Sequence, residues 1–138
     1  MTGNQRKPIV REKFASIDAG DFDAFRKILA EGFEATVNGG DTMTAEAFEG
    51  MGRSITSAFS NGRHNIHRQV CEGDWVASDF TWTAIHSGEF NGIPASNRPV
   101  RVASKAFDRI ENGKVAEHHT IIDMMGLMAQ IGAIPVPA

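Results

Sequence analysis

One dipeptide divides the chain. Before Asn61-Gly62 the apolar residues recur at helical spacing; after it they lie in long runs of strand-forming residues. On the first side, Ile9, Val10, Phe14 and Ile17 share one helical face, and Ala19-Gly20 ends that run. Asp21 is placed to cap a second helix carrying Phe22, Phe25, Ile28 and Leu29, which Gly32 closes. Phe33 to Val37 suits a short strand before the turn Asn38-Gly39-Gly40-Asp41. Thr44 then caps a third helix, whose apolar face is Phe48, Met51, Ile55, Ala58 and Phe59.

On the second side, four strands are expected: His64 to Cys71, Trp75 to His86, Val100 to Ile110, and Val115 to Asp123. Glu72-Gly73-Asp74 is a tight turn, and Asn112-Gly113 is the strongest short hairpin signal in the chain. Gly88 to Pro99 is a loop. Met124 to Ile131 suits a short helix stopped by Gly132, and the tail ends in prolines. Helices first and strands after, with no strand–helix–strand alternation, predict an α+β fold. The N-terminal helices pack on a curved, mostly antiparallel sheet. Strands of this length, roughly 30 Å at about 3.3 Å per residue, are long enough to curl into a cone with an internal pocket.

A chain of 138 residues fits one domain, 1–138, and at 41% hydrophobic and 22% charged it can bury a core without staples. The net charge of −3 carries no basic excess, so neither a nucleic-acid nor a membrane partner is expected. Cys71 is the one cysteine, so no internal disulfide forms. The opening MTGNQRKPIVREKF has no long apolar run, and no stretch approaches the roughly 20 apolar residues of a membrane span. A cytoplasmic protein without signal peptide is expected. There is no tyrosine, so any proton chemistry falls to His, Asp, Glu or Lys.

Two stretches resemble the SnoaL-like polyketide cyclases, a family within the cystatin-like (NTF2-like) α+β cone folds. His86-Ser87-Gly88-Glu89-Phe90-Asn91-Gly92-Ile93-Pro94-Ala95-Ser96-Asn97-Arg98 is similar to the family's H-x-G-x-F-x-G loop and its continuation. Arg109-Ile110-Glu111-Asn112-Gly113-Lys114-Val115-Ala116-Glu117-His118-His119-Thr120-Ile121-Ile122-Asp123 resembles its R-I-x-x-G-K-I-x-E-H-W-x-x-x-D signature. The ending Leu127-Met128-x-Gln130-Ile131-Gly132 matches L-x-x-Q-L-G. Three positions depart from the family's pattern: Asn97 for Gly, His119 for Trp, and Asn61 for Asp at the helix-to-strand junction.

The resemblance implies a cofactor-free enzyme that closes a ring by an intramolecular aldol step, with the Asp of the final signature, here Asp123, as acid/base. Strand alternation puts Val115, Glu117, His119, Ile121 and Asp123 on one face and Ala116, His118, Thr120 and Ile122 on the other. His119 is therefore the companion expected for Asp123, and an Asp desolvated in an apolar cone gains a raised pKa suited to a base. Asp123 also directly precedes a helix, so capping is the competing reading. His86, His64, Phe14, Trp82 and Met51 are the expected substrate contacts, and the stock of Phe, Trp and Met favours an apolar or aromatic metabolite. His67 is expected to face out and Glu117 to bond to Lys105 or Arg109. His64-x-x-His67 diverges on a strand, there is no cysteine pair, and no glycine loop opens a helix, so no metal and no nucleotide cofactor is expected. Cone folds often pair through the outer sheet face, implying a homodimer. Two other functions stand beside the cyclase: an epoxide hydrolase or hydroxylase, which needs an Asp–Arg–Asp relay, and a non-catalytic binding or dimerisation module.

Overall fold

The computed structural model describes residues 1–135, and Pro137 of the proline tail lies outside them. Helix α1 (Gly3–Asp18) begins where the Gln5 side chain accepts the Thr2 N–H, at 2.7 Å. Helix α2 (Phe22–Ile28) is capped as expected, with Asp21 accepting the Ala24 N–H at 3.0 Å. Strand β1 (Leu29–Val37) follows without a loop. Gly32 does not close the helix: it sits within β1 at φ +77°, where the register shifts between Leu29 and Glu34. A two-residue strand, β2 (Met43–Thr44), has no counterpart in the expected elements; Thr44 then caps α3 (Ala45–Ala58) by accepting the Ala47 N–H at 3.2 Å.

Strand β3 (Phe59–Glu72) begins before Asn61-Gly62 rather than after it. Asn61 takes φ 56° in the middle of a register shift between Ser60 and Arg63, so the dipeptide is a bulge and not a break. Strands β4 (Trp75–His86), β5 (Pro99–Glu111) and β6 (Lys114–Ile122) follow, then helix α4 (Met124–Gln130). The six strands lie in the order β2-β1-β6-β5-β4-β3. All pairs are antiparallel except β1 with β6, which is parallel.

The helices cover the inner face. Val10, Phe14, Phe25, Phe33, Phe48, Phe80 and Val115 form one buried cluster. Phe59, Ala84, Phe90, Val100, Val102, Leu127 and Ile131 form a second, under α4 and the 87–98 loop. The outer face of β3 to β6 is left open. There Val70, Phe107 and Ile121 are more than half exposed, and Val70–Ala77–Phe107–His119 are register partners in one row across four strands. Among the described residues no helix is long and apolar enough to cross a membrane.

Candidate functional site

Both core clusters contribute walls to a cavity of about 360 Å³ at the mouth of the cone. That volume lies in the range of small-molecule sites. Phe14, Ile17 and Asp18 of α1 line one side, and Phe48, Met51 and Ile55 of α3 another. The sheet contributes His64, Phe80, Trp82, Ser104, His118 and Thr120, and α4 closes one end with Met124 and Leu127. The lining is mostly aromatic and aliphatic, with two imidazoles set into it.

The first imidazole is His118. It reaches the cavity from the inner face of β6, and behind it lies a fully buried ion pair. Lys13 Nζ is 2.5 Å from Asp108 Oδ1 and 2.6 Å from His118 Nδ1; His118 Nδ1 is 2.9 Å from the same Asp108 oxygen. The Lys13 and Asp108 side chains have no exposed surface at all. Among the described residues, Asp108 Oδ2 is buried without a partner. Burial lowers the Lys13 pKa, partly offset by the carboxylate. Burial alone would raise that of Asp108, but the charge and hydrogen bond of Lys13, with His118 beside it, outweigh burial and hold the carboxyl at about 2. His118 is pushed below its ordinary value, first by burial and then by the charge of Lys13. With its Nδ1 engaged by this pair, Nε2 is the nitrogen left for a ligand.

The second imidazole is His64, on β3. Its Nδ1 lies 2.6 Å from Asp18 Oδ1, and its backbone N–H donates to Asp18 Oδ2 at 2.8 Å. One carboxylate thus fixes both the backbone and the ring. Phe14, one helical turn before Asp18, stacks on His64 at 4.6 Å between centroids and meets His118 edge-on at 6.0 Å. A carboxylate on one ring nitrogen sets the tautomer and aims the other nitrogen, the arrangement of Asp–His pairs in general-base sites.

Of the expected substrate contacts, Phe14, His64, Trp82 and Met51 line the cavity; His67 is exposed. Three other expectations are corrected. His119 lies on the outer face: Thr36 Oγ1 is 2.8 Å from its Nδ1, Glu117 is 3.0 Å from its Nε2, and Trp75 lies beside it. The alternation that separates it from His118 holds, but the inner face belongs to His118, Thr120 and Ile122. Asp123 is exposed and accepts the Gly126 N–H at 2.9 Å as the cap of α4, so it does not sit in the apolar interior expected of it. His86 is fully buried behind Phe59; its Nδ1 accepts the Ser96 N–H at 3.1 Å, making it an anchor of the 87–98 loop. Glu117 does accept from Arg109, at 2.5 Å.

Four residues of the site escaped the sequence reading: Lys13, Asp18, Asp108 and His118. A signal existed for two of them. Lys13 sits at i+3 from Val10 and i−4 from Ile17, on the apolar face of α1. Asp108 alternates with Val102, Ser104, Ala106 and Ile110, all buried. A charge in an apolar register is a charge with a buried partner. Among the described residues, no three His, Cys, Asp or Glu side chains converge as metal ligands.

Comparison with known proteins agrees with this architecture. AclR of Streptomyces galilaeus, described as a proposed hydroxylase, superposes with a TM-score of 0.91 at 23% identity, over 99% of this chain and 87% of its own. TsrD of Streptomyces laurentii gives 0.85 at 24% identity, over 97% of this chain and 99% of its own. IdmH of Streptomyces antibioticus, described as a proposed polyketide cyclase, gives 0.84 at 25% identity, over 93% and 99%. No curated protein sequence matches the chain. The model of the SnoaL-like polyketide cyclases, however, matches residues 9–131, nearly the whole of the fold just described, and the chain belongs to that family.

Proposed function

We propose that the protein is a cofactor-independent acid/base enzyme of the cyclase or isomerase type, acting on an apolar, polyketide-like small molecule held in the cone. The observation that carries this reading is the Asp18–His64 pair opening onto an apolar cavity. His64 Nδ1–H donates to Asp18, leaving the Nε2 lone pair as the base. It removes a proton from carbon next to a carbonyl. The enolate then forms a carbon–carbon bond within the same folded molecule, and the resulting alkoxide takes the proton back from His64. Walls that preorganise the folded conformer contribute several kcal/mol, of the order intramolecular reactions show. Positioned proton transfer contributes about 10²- to 10⁴-fold.

Solvent deuterium exchange into aromatic β-dicarbonyl compounds, followed by NMR, tests this directly. Wild type should catalyse exchange at the acidic carbon; His64→Ala should lose it by about 10²-fold or more while still binding the compound. Exchange undiminished in His64→Ala would exclude the mechanism. The hydrolytic alternative has less support: among the described residues no arginine lines the cavity, so an Asp–Arg–Asp relay is not assembled from them there.

The partner of the outer face is a second copy of the chain, in this reading. The apolar row Val70–Ala77–Phe107–His119 is flanked on one side by Arg68, Asp79 and Lys105, with a net positive charge. On the other side stand Glu72, Arg109 and Glu117, with a net negative charge. A two-fold axis along the apolar row sets the positive edge of each copy against the negative edge of the other.

A further inference from the structure

We propose that His118 is the oxyanion donor of this cavity, a neutral imidazole locked by Lys13 and Asp108 into the tautomer that points Nε2–H at the ligand. The inference rests on the cavity being the substrate site, and it adds the chemical class of the group bound there: a carbonyl oxygen that becomes anionic, or a phenolate or enolate already so.

The argument is one of proton counting. A buried carboxylate requires one compensating cation, because an unpaired charge in the interior costs several kcal/mol. Lys13 and His118 both contact Asp108 Oδ1, and an amine outcompetes an imidazole for that proton by its ordinary basicity. Lys13 is then an ammonium, which has three donors and no acceptor. At 2.6 Å from Lys13 Nζ, His118 Nδ1 must accept. The single ring proton therefore sits on Nε2, and with Lys13 behind it the ring resists taking up a second. The other groups near His118 do not alter this count. Phe14 and Phe48 pack on its ring without polar atoms, and His64 is already committed to Asp18.

The two imidazoles thus differ by their partners. His64 gives its Nδ1 proton to a carboxylate and offers a lone pair, whereas His118 receives a proton at Nδ1 and offers N–H. Proton removal from carbon beside a carbonyl needs both: a base for the proton and a donor for the oxygen on which charge collects. Lys13 and Asp108 are positioning residues, since they act through His118.

The tautomer is measurable without any turnover. Nitrogen-15 NMR of the imidazoles in the intact protein should show His118 protonated on Nε2 and bare on Nδ1. Lys13→Met should move that proton to Nδ1, facing Asp108. A second measurement uses 4-nitrophenol as probe. Wild type should bind it with its ionisation shifted toward the phenolate, read from the absorbance band. His118→Phe, which keeps the packing and drops the donor, should weaken binding about tenfold or more and reverse the shift. Nδ1–H in the wild-type spectrum, or an unchanged nitrophenol profile in a folded His118→Phe, overturns the proposal. These readouts stand apart from deuterium exchange. Absent exchange with an Nε2–H His118 and bound phenolate would fail the enzyme reading and leave the oxyanion site intact.

Discussion

Lys13 and Asp108 meet at 2.5 Å, one on helix α1 and one on strand β5, with neither side chain reaching solvent. Their contact is the only point at which α1 is fastened to the sheet by two fully buried opposite charges among the described residues.

Removing one partner should therefore cost far more than removing both. Lys13→Met leaves an uncompensated buried carboxylate and should destabilise the fold by about 3–5 kcal/mol. Adding Asp108→Leu to it should recover most of that loss, because two apolar side chains of similar volume then fill the space. Urea unfolding of the two variants checks this; a double mutant no more stable than the single would show that the pair is not coupled.

Acid should weaken the protein in two steps. His118 is held below its ordinary 6.5, so below that pH the unfolded chain takes up a proton that the folded chain refuses, and stability falls as pH falls. Asp108, at about 2 against an ordinary 3.8, contributes roughly 2 kcal/mol that is present above pH ~4 and lost as pH falls toward 2. Unfolding free energies measured across this range should decline in both windows. His118→Phe should remove the upper decline and leave the lower one.

Asp123 can be separated from its cap. Asp123→Ala should cost about 1 kcal/mol by leaving the Gly126 N–H without its acceptor, whereas Asp123→Ser keeps a cap and should cost less. Both should retain most of the deuterium exchange. Loss of exchange in a fully folded Asp123→Ser would restore the acid/base role that the family signature implies for this residue.

Phe107→Asp addresses the outer face. Phe107 is 55% exposed, so the substitution should alter the stability of the fold by no more than about 0.5 kcal/mol. In the proposed dimer it places two like charges on the apolar row. Sedimentation should change from dimer to monomer, and a wild-type monomer would dismiss the pairing outright.

Much of the fold was legible because its punctuation is local. Trp75 to His86 lies between a tight turn and a glycine loop, and β4 spans the same residues. Asp21 and Thr44 cap the helices expected of them. Gly32 and Asn61 mislead in sequence because a left-handed backbone serves equally to end an element or to bulge a strand, and only pairing to a neighbour distinguishes the two. The face of β6 was ambiguous for a similar reason. Val115 and Ala116 are both buried, beside a register shift at Arg109 and Ile110, so apolar residues mark both faces. The Lys13 cluster lay further out of reach: its partners stand 95 and 105 residues away, and a lysine on an apolar face carries no label saying which carboxylate it meets.

Both imidazoles of the cavity are carried by the sheet, yet Lys13, Phe14 and Asp18, which govern them, all belong to α1. A chain whose sheet has formed but whose first helix has not yet seated holds the nitrogens without their instructions. In the proposed mechanism, the orientation of both imidazoles therefore depends on a single interface, that of α1 with the sheet, and a molecule with α1 undocked would be chemically silent rather than indiscriminate.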